Sequence, residues 1–237
     1  MAPDADRADR ADRAELDEDL VELDAELDEA LEAGFWARVH RVRTHDRFIF
    51  ATMLLFALAS LVASFVLSID ALVLAGDPTA QLACDVNSTI SCGAVALSWQ
   101  AQLFGFPNAF LGLVAEPVVI TLAVAALGGV RFPRWFMLGA QTMYTLGLIF
   151  AYFLFIQSMF VINALCPWCL LITVATTVVF AELTHVNIRE GHLPLPSRWR
   201  AKAEALVAAD VDVIAWAAWL VFLAALVIAK YGAGLLA

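Results

Sequence analysis

The sequence predicts an all-α integral membrane protein with five spans, and three observations predict it. The 237 residues are 62% hydrophobic, with a mean hydropathy of +0.80, which is too apolar for a soluble domain. Five apolar runs are each long enough to cross a bilayer, since about 20 residues at a rise of about 1.5 Å match a hydrocarbon core of about 30 Å. Basic residues cluster only at alternate ends of those runs, as the positive-inside rule requires.

The elements follow in order. The net charge of −10 is local: residues 1–34 hold 14 acidic residues against three arginines, and the remainder is about neutral. Nucleic-acid binding therefore has no support. This stretch opens on an Ala-Asp-Arg repeat (Ala5 to Arg13), and Leu20, Leu23, Leu27 and Leu31 recur at spacings of three and four. It reads as an acidic, partly disordered tail, with a partner-docking amphipathic helix as the second reading. No cleavable signal peptide is visible. The segment 1–46 is thus an acidic tail plus a basic juxtamembrane stretch bearing Arg38, Arg41 and Arg43. A four-span unit covers 47–185, a loop 186–210, and a fifth span 211–237.

Run one extends from Phe48 to about Ile69 and is ended by Asp70, Gly76, Asp77 and Pro78. A polar loop, 76–108, follows, in which Ser91 to Phe104 reads as a short amphipathic helix at the interface. Run two is Ala109 to Val130. Run three, Trp135 to Ile162, is long enough to tilt. Run four starts at Cys166 and ends near Leu183, and run five is Val211 to about Ile228. The clusters Arg38–Arg47, Arg131 with Arg134, and Arg189–Lys202 all fall on one side, which is then cytoplasmic together with the N-terminus. The loops 76–108 and 163–166, and with them all four cysteines, fall outside. The tail 231–237 is also outside, with Lys230 able to snorkel. Two lysines against twelve arginines, beside abundant Ala, hint at a GC-rich bacterial genome.

The chemistry lies in the cysteines. In Cys166-Pro167-Trp168-Cys169 the two thiols stand three residues apart, one face of a helix, within reach of a disulfide. Pro167 suits the first helical turn. Cys166 then sits at the helix N-terminus, where the macrodipole favours a thiolate. Cys84 and Cys92 bracket seven residues of polar loop. A mobile pair beside a fixed pair is the arrangement of a thiol relay, each step being thiolate attack on a disulfide. Structural disulfides are a competing reading. A Cys₄ zinc site is another, but the 84/92 spacing is too wide for a zinc knuckle, so no metal is expected.

Two further features stand out. Glu116 lies inside run two, where a carboxylate is costly. It reads as neutral and hydrogen-bonded within the bundle beside Pro117, with a proton relay as the alternative. Trp99, Phe104, Phe106 and Trp168 read as an outer aromatic belt, with Phe104 or Phe106 as candidates to line a pocket.

The series Cys84-Asp85-Val86…Ile90-Ser91-Cys92, then Ser98, then Phe106-Pro107-Asn108, then Cys166-Pro167-Trp168-Cys169 resembles the vitamin K epoxide reductase family, in its bacterial disulfide-forming branch, over about residues 48–183. The loop pair precedes the CxxC, the reverse of the order in the disulfide bond protein B type of quinone enzyme. The resemblance implies a four-helix bundle around a quinone (menaquinone or ubiquinone), capped by the loop. It implies that Cys84 exchanges with a soluble thioredoxin-fold dithiol protein, Cys92 links to Cys166, and Cys169 lies nearest the quinone. Ser98 and Asn108 match the family's polar positions near the quinone. On a straight helix Ser98 points about 240° round from Cys92. Animal members carry a Tyr where this chain has Thr173. Many bacterial members fuse a thioredoxin-like domain after the fifth helix; the partner here is expected to be a separate secreted or membrane-tethered protein. The implied activity is thiol:quinone oxidoreduction in support of disulfide formation. Quinone epoxide reduction, and a non-enzymatic scaffold with structural disulfides, are the alternatives.

Overall fold

The computed structural model describes residues 46–235. The acidic tail, its amphipathic leucine pattern and Arg38, Arg41 and Arg43 lie outside the described residues. Seven α-helices follow in order: α1 (Asp46–Gly76), α2 (Cys92–Ala96), α3 (Ala109–Leu127), α4 (Arg134–Gln157), α5 (Pro167–Arg189), α6 (Ser197–Ala208) and α7 (Val211–Leu235). A 3₁₀ turn (Trp99–Gln102) follows α2 and a π turn (Ser158–Ile162) extends α4. Five helices are long and apolar enough to cross a membrane. The molecule is an all-α, multi-pass membrane protein.

Four of the five spans form a bundle. α1 packs against α3 and α5, and α4 packs against α5. Their shared core holds Ile49 and Met53 of α1, Leu122 of α3, Tyr144 of α4, and Val179 and Leu183 of α5. α1 and α3 approach most closely at Gly112, where an added Cβ would lie 2.1 Å from Ser64 Oγ and 2.8 Å from Ser64 Cβ. Small residues let membrane helices touch backbone to backbone in this way. α7 lies outside the bundle against α5. Trp219 Nε1 donates to Tyr152 Oη (2.8 Å), Trp216 meets Phe180 edge-on, and Ile214, Val221, Phe222 and Ile228 remain exposed.

Several boundaries differ from those expected. α1 does not stop before Asp70 but continues to Gly76. Residues 71–75 (Ala-Leu-Val-Leu-Ala) favour the helix, one half-buried carboxylate does not break it, and Pro78 enforces the end. The expected helix over 91–104 is two pieces. Ser91 caps α2, its Oγ accepting from Ala94 N at 3.1 Å, and the chain then leaves the helix at Ser98, whose backbone is extended. α5 outlasts Leu183 because its polar last turns are paired inside: Asn187 Nδ2 donates to Gln141 Oε1 (2.8 Å) and His185 Nδ1 meets Asp212 Oδ2 of α7 (2.8 Å). The stretch 186–210 is not all loop, since α6 occupies its second half. α7 runs past Ile228, so most of the expected tail at 231–237 is helical.

Candidate functional site

The site lies where the loop after α1 meets the start of α5. Cys84 and Cys92 are joined by a disulfide, while Cys166 and Cys169 are free thiols. The ring that the disulfide closes is ordered by its own polar side chains. Asp85 Oδ1 accepts from Ser91 Oγ (2.8 Å) and Gly93 N (2.9 Å), and Oδ2 accepts from Leu82 N (2.9 Å). Asn87 Oδ1 accepts from the amides of Thr89 and Ile90. Gly93 fits because a Cβ there would fall 3.0 Å from Asp85 Oδ2. Burial alone would raise the Asp85 carboxyl, but the Gly93 and Leu82 amides, the Ser91 hydroxyl and the Cys92 amide outweigh it. They hold the group below the usual carboxylate range.

One short contact sets the two cysteine pairs side by side. Ile90 and Leu165 form a parallel bridge: Leu165 N donates to Thr89 O (2.7 Å) and Ser91 N to Leu165 O (3.0 Å). Cys92 follows one partner by two residues and Cys166 follows the other by one. Both are buried, at 1% exposure each, in a cluster with Leu74, Leu82 and Trp168.

Cys166 is the N-cap of α5, with Pro167 at its first position. Its Sγ accepts from Cys169 N at 3.4 Å. The Cys169 thiol and the amides of Cys169 and Trp168 favour the thiolate and lower the Cys166 pKa, against the opposing burial and the charge of Asp70. The turn before Cys166 is held from α7. Lys230 Nζ donates to Met159 O and to Asn163 Oδ1 (2.9 Å), and Tyr231 Oη donates to Met159 O (2.9 Å). Asn163 itself takes the left-handed conformation (φ 56°), which Asn tolerates.

Beneath the cysteines a largely apolar cavity of about 240 Å³ opens between α1, α3, α4 and α5. Cys92, Cys166 and Cys169 line it, as do Ser98, Asn108 and Thr173. Ser98 Oγ donates to Val95 O (2.6 Å), and the break in the helix removes the rotation expected of a continuous one. Asn108 Nδ2 donates to Gln100 O (2.6 Å), while its buried Oδ1 has no hydrogen-bond partner among the described residues. Thr173 Oγ1 donates to Cys169 O (2.9 Å), so its hydroxyl hydrogen is already engaged. An apolar chamber with an orphaned amide oxygen next to two thiols fits a flat, apolar redox molecule with polar edges, as a quinone is.

Deeper in the cavity, Glu116 Oε1 accepts from Ser60 Oγ (2.7 Å) and Oε2 from Tyr144 Oη (2.8 Å). The carboxyl is thus tied to α1 and α4, in keeping with a hydrogen-bonded bundle residue. Phe104 stacks on Phe106 and leans on Phe150 of α4; Phe150 lines the cavity, whereas Phe104 and Phe106 are not among its lining residues. Among the described residues no cluster of metal-ligating side chains is found.

Sequence reasoning missed two participants. Asp70 passed for the end of a span; its Oδ2 lies 4.0 Å from Cys84 Sγ. The Ile90–Leu165 bridge left no periodic signal, because two residues make no strand.

No curated protein matches the chain. The family profile described as Vitamin K epoxide reductase family matches residues 51–184, more than half of the chain and all four cysteines. Members of that family are oxidoreductases, and they use quinones and generally act with thioredoxin-like partners. Disulfide ring, capped CxxC and apolar chamber all fall within the matched stretch, and the chain belongs to the vitamin K epoxide reductase family.

Proposed function

We propose that the chain is a membrane thiol:quinone oxidoreductase of the disulfide-forming branch. It reoxidises an extracytoplasmic thioredoxin-fold dithiol. The observation that carries this reading is a closed Cys84–Cys92 ring against a free Cys166/Cys169 pair at the lip of an apolar cavity. Half-buried Cys84 is the sulfur open to a partner, and buried Cys92 faces inward.

The partner's dithiol reduces the Cys84–Cys92 disulfide and leaves as a disulfide. Cys92 then attacks Cys166 of an oxidised Cys166–Cys169 pair, giving a Cys92–Cys166 link and releasing Cys169. Cys84 attacks Cys92, restoring the loop disulfide and leaving two thiols at 166 and 169. A bound quinone supplies a two-electron, two-proton acceptor. Ser98 and Asn108 line its chamber, and the orphaned Asn108 Oδ1 is an acceptor suited to a hydroxyl of the reduced ring. The amides at the start of α5 hold the Cys166 thiolate ready. In the proposed orientation this end faces the outside of a bacterial plasma membrane. Thr173, with its hydroxyl engaged on Cys169 O, gives epoxide reduction no added support.

The test is quinone reduction by purified protein in detergent with a reduced thioredoxin-like donor, beside Cys166→Ser. Quinone absorbance falls with the wild type and not with the variant. If neither consumes quinone and the cysteines resist reductant, the disulfide is structural and the reading is wrong.

A further inference from the structure

One carboxylate stands against a reacting sulfur with nothing else to do. Asp70 lies in the last two turns of α1, half-buried, with its Oδ2 4.0 Å from Cys84 Sγ. A disulfide sulfur carries no hydrogen, so in this state the contact is not a hydrogen bond. No cation and no amide serves Asp70 among the described residues. The neighbouring Asp85 is the opposite case, its two oxygens taken by the amides of Leu82 and Gly93 and the hydroxyl of Ser91. A carboxylate within a membrane span is costly unless something needs it. The charged and titratable groups facing it are Cys84 and Asp85 from the loop and Cys166 from the start of α5. Among the described residues, the side chain set against Asp70 Oδ2 is Cys84, and that sulfur gains a hydrogen when the ring is reduced.

We infer that Asp70 is the general base of the internal transfer, taking the proton of Cys84 as that sulfur closes the loop disulfide. The inference rests on the relay proposed above. In the step, the Cys84 S–H bond breaks and its proton moves to Asp70 Oδ2. The Cys84 thiolate attacks Cys92 Sγ, the Cys84–Cys92 bond forms, and the Cys92–Cys166 bond breaks with its electron pair on Cys166. Asp70, half-exposed, then returns the proton to solvent. No outside oxidant enters. The structure shows the product side of this step: the ring closed, Cys166 and Cys169 free, and the carboxylate still beside Cys84. An unassisted thiol of ordinary acidity, with a pKa of about 8.5, is about 1% thiolate at pH 6.5, so a base in contact has a large effect there.

The experiment uses the full chain in detergent, reduced by dithiothreitol with ubiquinone-1 as acceptor. Samples are acid-quenched, and the Cys92–Cys166 link is counted by mass spectrometry. In Asp70→Asn the link accumulates at least about tenfold over wild type at pH 6.5, within the range for removal of a general base. The excess shrinks as the pH rises and is lost by about pH 8.5, where Cys84 ionises unaided. Asp70→Glu, which keeps a base, stays near the wild-type profile and serves as the reading if Asp70→Asn does not fold. An excess independent of pH, a Glu variant that accumulates the link as Asn does, or an Asn variant matching wild type throughout each overturns the role of Asp70. Cys84→Ser is the control for the relay: it strands the Cys92–Cys166 link with Asp70 untouched. If that link never forms, the relay itself fails, whatever Asp70 does.

Discussion

Cys166 carries its thiolate bias in its surroundings, a consequence of its place at a helix start. The Cys169 thiol and two amides favour the anion, so its alkylation by iodoacetamide, with the loop disulfide intact, is half-maximal below the ordinary thiol value of about 8.5. Cys169→Ala removes the first of these donors and moves the midpoint up; a midpoint unmoved by that change would show the backbone alone is responsible. Asp85 works in the other sense on the loop. Its carboxyl is held below the usual range, so its contribution to loop order is complete above the unfolded value of about 3.9 and is lost as pH falls through the lower folded value. Amide exchange at Leu82 and Gly93 therefore stays protected at pH 5 and opens only in stronger acid. Asp85→Ala leaves those amides without their acceptor, costs about 1–3 kcal/mol of local order, and exposes both at every pH. The cysteines and the proline between two of them were legible from residue types, because spacing is local information. Asp70 was not, because its significance depends on a sulfur 14 residues away across a turn.

At the scale of elements, the five spans were legible and their ends were not. Hydropathy reports where lipid or core begins. It does not register a helix that continues past it, as α1 does to Gly76 and α5 does to Arg189. The polar end of α5 survives because its side chains pair with α4 and α7, which no window along one segment reveals. The interface helix was half right: α2 starts at the Ser91 cap, but Ser98 leaves the helix, so its cavity position comes from a break rather than a turn count. The α1–α3 contact gives a sharp expectation. Gly112→Ala places a methyl against Ser64, and overpacking of this kind costs about 1–3 kcal/mol. Thermal unfolding in detergent should shift down accordingly, and the double variant Gly112→Ala, Ser64→Gly should recover most of the loss.

For the whole molecule, the fifth span is more than a passenger. From α7, Trp219 donates to Tyr152, whose hydroxyl meets Thr177, and Thr177 in turn donates to Thr173 O on the helix that carries Cys169. At its far end Lys230 and Tyr231 hold the turn that leads into Cys166. The double variant Lys230→Met, Tyr231→Phe should therefore keep all five spans and loosen that turn, seen as faster amide exchange at Leu165. Unchanged exchange would mean that Ser158, which donates to Ala164 O, suffices alone.

The bridge between Ile90 and Leu165 also has a kinetic consequence. It consists of two hydrogen bonds, yet it keeps Cys92 and Cys166 in each other's company whatever the dilution. In the proposed relay their exchange is then a first-order event at a high effective concentration, the condition under which linked groups react fastest. In the same relay, collision with a partner at Cys84 stays second-order. Turnover should rise in proportion to the partner while it is scarce and then level off, and the plateau would be set by the internal exchange or the quinone step rather than by docking.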